Sequence, residues 1–202
     1  MVKKFNLQQY LNRLKNPNRQ LLNQQMQEEI TDGDICRYFG KKDFKNILKY
    51  SELSNYNSIQ QLLPRNKSWK IILIENEYNS GHWTLIMHYN NNTIEWFNSY
   101  GTFPSEELDY ISNNQNEQLN QDVKYLNILL TQALPKFNII YNKRKLQQLE
   151  DGVNTCGKWI ILRIIMMEKY NMDLNQFLQF IDNLKKQFKL SYDELVTLII
   201  QK

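Results

Sequence analysis

The chain has 202 residues, of which 42% are hydrophobic, and 25 basic residues against 21 acidic residues give a net charge of +4. This length and apolar content predict one domain over residues 1–202, and the small positive charge gives only weak support to a nucleic-acid partner. Two distant cysteines exclude a disulfide framework and no apolar run is long enough to span a membrane, so we expect a soluble protein of a reducing compartment.

The N-terminal part of the chain, residues 1–65, has the apolar spacing of helices. Pro17, the turn Thr31-Asp32-Gly33 and Pro64 interrupt this pattern, and a short ordered segment follows the turn. The predicted helices are Leu7–Leu14, Arg19–Ile30, Lys42–Leu53 and Ser58–Leu63.

Residues 66–171 change to strand patterning and then return to helix. The predicted strands are Trp69–Glu75, His82–Tyr89, Thr93–Asn98 and Phe137–Asn142, and the predicted helices are Ser105–Ile111, Gln118–Leu134 and one that begins at Cys156. Residues 172–202 predict a helical pair, Leu174–Phe188 and Ser191–Gln201, in which Ser191 and Glu194 have capping-box spacing. This order predicts an α+β fold in which helices flank a central mixed β-sheet.

Cys156 is the candidate nucleophile. It lies directly before an apolar run that ends at Met167, so it occupies the first turn of a helix that we expect to be buried. The unpaired N–H groups and the positive end of the dipole at a helix N-terminus favour a thiolate, which is the nucleophilic form of cysteine. Cys36, in contrast, has the surroundings of a small buried apolar residue.

A hairpin gives Cys156 a candidate base. If Asn90-Asn91-Asn92 forms a three-residue turn, Tyr89 faces Thr93 and the numbers of paired residues sum to 182. His82 and Asn98 are then diagonal neighbours on one face of the sheet, about 7–8 Å apart, which lets the two side chains meet. A loop shorter by one residue predicts opposite faces instead.

These residues match the logic of nucleophilic catalysis by a thiol. Asn98 is expected to accept a hydrogen bond from the Nδ1–H group of His82, which leaves Nε2 as the base for Cys156. The developing oxyanion needs donors, for which the candidates are the backbone N–H of Cys156 and the side-chain amide of Gln147 or Gln148. Two His and two Cys without close spacing argue against a zinc site, and six glycines without a phosphate-binding pattern argue against a nucleotide, so we expect no cofactor.

The ordered segments Gly-His-Trp, aromatic-Asn-Ser-Tyr-Gly, Gln and Cys-Gly resemble the adenovirus-type and ubiquitin-like-protein-specific cysteine proteases. The resemblance covers Ile71 to Met167, about half the chain. It implies an adenain/Ulp-like fold, with the nucleophile at the N-terminus of a buried helix. The site residues that it implies are His82 as general base, Asn98 in the third triad position, Cys156 as nucleophile, Gln148 or Gln147 as oxyanion donor and Trp83 beside the substrate.

This sequence departs from the family at two places. The third triad position is usually Asp or Glu, whereas Asn98 resembles the proteases of some large DNA viruses. The family's glutamine usually stands six or seven residues before the cysteine, while Gln148 is eight and Gln147 is nine residues away. Spacing favours Gln148, and the Leu-Gln pair typical of viral members favours Gln147, so both stay open.

The compact length most resembles maturation proteases of double-stranded DNA viruses and virophages. That resemblance implies a monomeric cysteine endopeptidase of the virion or of the host cytoplasm and viral factory. Its implied partners are capsid or core precursor proteins, cleaved after small residues such as Gly, and a DNA or peptide activator has weak support. An isopeptidase for ubiquitin or SUMO, an acyltransferase on the same fold and a non-catalytic interaction domain are the alternatives.

Overall fold

A computed structural model describes residues 7–15 and 17–202 of the chain. Its α-helices in this described part are α1 (Leu7–Lys15), α2 (Arg19–Gln27), α3 (Asp32–Phe39), α4 (Ile59–Leu62), α5 (Asn113–Gln118), α6 (Tyr125–Ala133), α7 (Cys156–Tyr170), α8 (Leu174–Phe188) and α9 (Tyr192–Ile199). Its strands are β1 (Ile47–Lys49), β2 (Trp69–Glu77), β3 (Ser80–Asn90), β4 (Thr93–Phe97) and β5 (Asn138–Tyr141), and its 3-10 helices are Lys41–Asn46, Tyr50–Asn55 and Glu106–Tyr110.

The chain folds into two compact units. One unit is continuous and spans Lys45–Lys143, and the other combines Met1–Phe44 with Arg144–Lys202. Candidate residues fall in both, because His82 and Asn98 belong to the continuous unit and Cys156 belongs to the discontinuous one. The expectation of a single catalytic domain over residues 1–202 stays a prediction.

The continuous unit contains a five-stranded mixed sheet. Its order is β1-β2-β3-β4-β5, with the two outer pairs parallel and the two inner pairs antiparallel. One face presents alternate residues of β2, such as Ile72 and Ile74, to apolar residues of α4 and α6. Leu126, Leu129 and Leu130 of α6 recur at helical spacing and are at most 5% exposed. The predicted α+β fold with a mixed sheet and flanking helices is therefore confirmed.

The discontinuous unit is helical. Every residue of α7 from Gly157 to Met167 is buried, as predicted for the helix that begins at Cys156. The predicted C-terminal pair is present as α8 and α9, and the predicted capping box joins Ser191 to Glu194. No helix within the described residues has both the length and the apolar character required to cross a membrane.

The predicted helix Lys42–Leu53 is wrong in its centre. Ile47–Lys49 forms β1 instead and pairs in parallel with Ile71–Leu73 of β2, while 3-10 helices lie on both sides of it. Leu48 is buried against the core of this unit. The apolar spacing of the segment fits a helix, but hydrogen bonding to a neighbouring strand decides its conformation, and local sequence does not reveal that neighbour.

Two other helix boundaries differ from the prediction. Arg19–Ile30 ends early, at Gln27, because Thr31 caps a separate helix, α3, through a capping box with Asp34. The predicted helix Gln118–Leu134 begins only at Tyr125. The intervening Gln121 is fully buried. Its side-chain amide accepts the backbone N–H of Glu75 at 3.2 Å and donates to the Glu75 carbonyl at 2.6 Å, as a neighbouring strand would.

Candidate active site

His82 lies near the start of β3, opposite Ile74 of β2. Gly81 is required immediately before it, because a Cβ atom on this residue would lie 2.0 Å from the Ile74 carbonyl oxygen. The close approach of the two strands therefore fixes the position from which the imidazole extends. Asn98 follows directly after the end of β4.

The predicted hairpin register is confirmed, although the turn differs. Pairs from Leu85↔Phe97 to His88↔Ile94 have residue numbers that sum to 182. Asn90, rather than Tyr89, pairs with Thr93, which shortens the turn by one residue, and a bulge between His88 and Asn90 compensates. This bulge keeps the two candidate side chains on the same face.

His82 and Asn98 form a hydrogen bond with a defined tautomer. The Nε2 atom of His82 lies 2.8 Å from the Oδ1 atom of Asn98. The same Oδ1 accepts the backbone N–H of Tyr100 at 2.9 Å, and the Nδ2 group donates to Thr102 at 2.6 Å. Because a backbone N–H can only donate, the amide orientation is fixed and Nε2 must carry the proton.

This geometry corrects the sequence-based assignment of the ring nitrogens. The expectation was that Nδ1 donates to Asn98 and Nε2 serves as the base. Nε2 is the donor instead, so the neutral imidazole of His82 has its lone pair on Nδ1. Strand register places His82 and Asn98 near each other. The side-chain torsions of His82 decide which ring nitrogen faces Asn98, and sequence spacing does not specify these torsions.

The surroundings keep His82 neutral near pH 7. The Tyr100 ring stacks on the imidazole with centroids 4.2 Å apart and planes 14° from parallel. Desolvation lowers the pKa of His82 to about 4, and the hydrogen bond to Asn98 opposes this effect. An imidazole that is neutral and has a fixed Nδ1 lone pair can accept a proton from an acid at physiological pH.

Asn98 is rigidly held. The residue is fully buried, and its backbone carbonyl accepts the Nδ2 group of Asn142 at 2.8 Å and the N–H of Gly101 at 3.0 Å. With both ends of its side chain also bonded, Asn98 has little freedom to rotate. It is therefore suited to orienting a ring.

The second candidate region is the N-terminus of α7. The helix begins at Cys156, whose side chain is partly exposed, after Thr155 as the N-cap residue. The Thr155 hydroxyl donates to Oδ1 of Asp193, and Oδ2 of the same carboxylate accepts the backbone N–H of Gln148 at 3.1 Å. Asp193 therefore anchors both the residue before Cys156 and the loop that carries the two glutamines.

Lys158 adds a positive charge in the first turn of the same helix. It is 1% exposed, and its Nζ donates to the carbonyl oxygens of Gln25 at 2.7 Å and Glu28 at 3.0 Å. Desolvation lowers its pKa to about 8, while the charges of Glu28 and Cys156 oppose this effect. This ammonium and the helix dipole both favour a thiolate at Cys156.

Gln147 and Gln148 have different environments. Gln147 is 2% exposed and donates its side-chain amide to the Val153 carbonyl at 2.9 Å, within the loop that leads to Cys156. The side chain of Gln148 is exposed, and its backbone is the part held by Asp193. Both residues line a cleft of about 380 Å³ in the discontinuous unit.

Trp83 follows His82 in β3 and is partly exposed. Because successive residues of a strand point to opposite faces, its side chain extends away from the face that carries His82. A substrate contact by Trp83 stays a prediction.

Sequence reasoning did not identify four polar residues that support these regions, namely Thr102, Glu107, Lys158 and Asp193. Thr102 and Glu107 continue the hydrogen bonding of Asn98, since Asn98 donates to Thr102 and the Thr102 hydroxyl donates to Glu107. The sequence gives no signal for them, because Thr, Glu, Lys and Asp side chains are ordinarily exposed to solvent. Within the described part of the chain, no group of three or more His, Cys, Asp or Glu residues is arranged to hold a metal ion.

Comparison with known proteins reveals a relative in a virophage. The chain is 34% identical over 170 residues to the "Uncharacterized protein V9" of Sputnik virophage, an alignment that covers 84% of this chain and 93% of the relative. No family model matches the sequence. No solved structure matches it either.

Proposed function

We propose that this chain, which belongs to the same family as the uncharacterized protein V9 of Sputnik virophage, is a cysteine endopeptidase with an adenain/Ulp-like fold. The observation that carries the proposal is the fixed tautomer of His82, which donates through Nε2 to the buried Asn98 and keeps Nδ1 available as a base. A partly exposed cysteine at the start of a buried helix supplies the complementary nucleophile.

The proposed reaction begins when Nδ1 of His82 takes the thiol proton of Cys156. The thiolate attacks the carbonyl carbon of a peptide bond, and the resulting oxyanion accepts the backbone N–H of Cys156 and one glutamine amide. The imidazolium then protonates the leaving amine, which departs and leaves a thioester. Water hydrolyses the thioester with His82 again as base, which returns the free thiol and a carboxylate product.

Selective alkylation tests the nucleophile, and Cys36 is its internal control. Burial and the charges of Asp32 and Asp43 raise the pKa of the Cys36 thiol. We therefore expect iodoacetamide at pH 6.5 to modify Cys156 at least about tenfold faster than Cys36, as measured by peptide mass spectrometry. His82→Ala should reduce this preference without removing it, because Lys158 and the helix dipole still act on Cys156. Equal modification rates in the wild-type protein would favour a non-catalytic interaction domain.

The substrates of the proposed endopeptidase are capsid or core precursor proteins. This assignment is supported by the relative's virophage origin and by the resemblance of the motifs to maturation proteases. Incubation of such precursors with wild-type protein should create new termini that are absent with Cys156→Ala. Persistent cleavage by Cys156→Ala would show that Cys156 is not the nucleophile and would refute the proposed protease. Acyl transfer without peptide cleavage would identify an acyltransferase.

For the oxyanion donor we propose Gln147 over Gln148, because a buried and hydrogen-bonded amide is better preorganised than an exposed one. Removal of one such donor typically lowers kcat by about 10²–10³. Gln147→Ala and Gln148→Ala form a matched pair. The larger loss should occur at Gln147, and a larger loss at Gln148 would reverse the assignment.

A further inference from the structure

A chain of three hydrogen bonds connects the His82 imidazole to a buried carboxylate. The Nε2–H group of His82 donates to Asn98, the Nδ2 group of Asn98 donates to Thr102, and the Thr102 hydroxyl donates to Oε1 of Glu107. All three donors point the same way, from the ring toward Glu107. Bonds in such a one-directional chain polarise one another, so a charge at its end strengthens the bond at its beginning.

The direction of this series of hydrogen bonds is fixed by groups that can only donate. The backbone N–H of Tyr100 fixes the acceptor end of the Asn98 amide, so its Nδ2 group must donate to Thr102. The Thr102 hydroxyl has one proton, which is therefore given to the carboxylate. An amide has its donor and its acceptor on one conjugated group, so Asn98 can transmit polarisation although it has no charge.

The environment of Glu107 is unusual for an acidic residue. It is only 6% exposed, although it lies in the short 3-10 helix Glu106–Tyr110. Its second carboxylate oxygen, Oε2, is buried and has no hydrogen-bond partner among the described residues. A buried carboxylate oxygen without a partner costs stability, which makes Glu107 a candidate for a role in function.

We propose that Glu107 is a positioning residue that supplies the negative charge absent from the Asn98 position. It acts on His82 through Thr102 and Asn98 and stabilises the imidazolium that forms when the ring takes a proton. The catalytic consequence rests on the proposed protease function, whereas the effect on the ring itself does not. Thr102 and Glu107 are thus expected to determine the basicity of His82 without touching a substrate.

The path length limits the size of the effect. Three hydrogen bonds and two side chains place the Glu107 carboxylate within about 10 Å of Nε2. At this distance and an effective dielectric constant of about 20, an ionised carboxylate stabilises an imidazolium by about one pKa unit, or tenfold.

Ionisation of Glu107 takes place near neutral pH. Desolvation raises the pKa of Glu107 to about 7, hydrogen bonds from Thr102 and from the backbone N–H of Glu107 oppose this effect, and the charge of Glu106 adds to it. Burial also raises the pKa of the Tyr50 hydroxyl to about 12, and the charge of Glu107 adds a smaller contribution. Tyr50 therefore stays neutral while Glu107 ionises, and the change of charge belongs to Glu107.

Histidine NMR tests the proposal without any need for protease activity. The chain contains only two histidines, so 15N-histidine labelling of Cys156→Ala protein gives two ring systems, His82 and His88. We expect the Nε2–H proton of His82 to move downfield between pH 6 and 8 with a midpoint near 7, since its hydrogen bond strengthens as Glu107 ionises. This transition should vanish in Glu107→Gln, which keeps an oxygen acceptor but no charge.

Matched variants separate charge transmission from structural support. Glu106→Gln makes the same chemical change at the exposed neighbouring residue and should preserve the transition. Thr102→Ser keeps the hydroxyl and should also preserve it, whereas Thr102→Val breaks the hydrogen-bonded path and should reduce its amplitude to the through-space contribution of the Glu107 charge. A His82 signal that is independent of pH in the wild type, or a transition that survives in Glu107→Gln, would overturn the proposal.

A kinetic measurement adds a second readout in the active enzyme. The value of kcat/KM for Glu107→Gln should be about tenfold below wild type at pH 8 and equal to it at pH 6. A purely structural role predicts the same ratio at both values, and that result would also overturn the proposal. Failure of Cys156→Ala to abolish cleavage would refute the protease function while leaving the NMR result unaffected.

Discussion

Glu107 should make the stability of the protein depend on pH in a direction opposite to that of most acidic residues. Its pKa is about 7 in the folded chain, against an ordinary value of 4.5, because the folded state removes it from water. A raised pKa means that the folded state binds this proton more tightly than the unfolded state does. The stabilisation is therefore complete below pH 4.5 and is lost as the pH rises through about 7.

The size of this effect can be calculated from the two values. One pKa unit corresponds to about 1.4 kcal/mol, so the full difference is about 3 kcal/mol, of which about 2.5 kcal/mol falls between pH 5 and pH 8. Glu107→Gln removes the titrating group. The free energy of unfolding of the wild type should therefore fall by about 2.5 kcal/mol more than that of Glu107→Gln over this range.

Urea denaturation at pH 5, 6, 7 and 8 measures this difference. Any pH-independent cost of burying the glutamine amide cancels, because only the change with pH is compared. Glu106→Gln is the matched control and should keep the pH dependence of the wild type, with the transition moved slightly to lower pH because the charge of Glu106 raises the pKa of Glu107. Parallel plots of unfolding free energy against pH for the wild type and Glu107→Gln would show that folding does not desolvate the Glu107 carboxylate.

Three further predictions concern the strands and helices that hold the site. Gly81→Ala should cost about 3 kcal/mol in urea unfolding, because its Cβ would meet a backbone oxygen at 2.0 Å, and an unchanged midpoint would contradict this. Lys158→Met should cost about 2 kcal/mol through loss of two charged hydrogen bonds, whereas Lys169→Met in the exposed last turn of the same helix should cost only about 0.5 kcal/mol through loss of a charge that complements the helix dipole. Asp193→Ala should lower the free energy of unfolding by about 3 kcal/mol and slow the alkylation of Cys156, and Thr155→Val should cost about half as much. Equal stability of the wild type and both variants would exclude Asp193 as the anchor.

Local signals account for much of the fold. The apolar runs of β2, β3 and β4 and the capping box at Ser191 are properties of short segments, and the structure has them close to where they were predicted. The start of α7 at Cys156 could also be predicted, because the apolar run after it is long enough to require burial. These features depend on neighbours in sequence, which is why sequence patterns identify them.

Elements stabilised by distant residues were not predictable in this way. Ile47–Lys49 is a strand because β2 offers it hydrogen bonds, and the segment before α6 is not helical because Gln121 bonds the backbone of Glu75. In the hairpin, a shorter turn and a bulge compensate each other. The predicted register was therefore right although the predicted turn was not.

For the candidate site, sequence alone predicted His82, Asn98 and Cys156, and the strand register brings the first two together. Only the tertiary structure decided that Nε2 is the donor, since the backbone N–H of Tyr100 fixes the Asn98 amide. It also decided that the hydrogen bonding extends from Asn98 to Glu107. The physical reason is that proton positions and pKa values depend on side-chain torsions and desolvation, which arise only when residues distant in sequence are packed together.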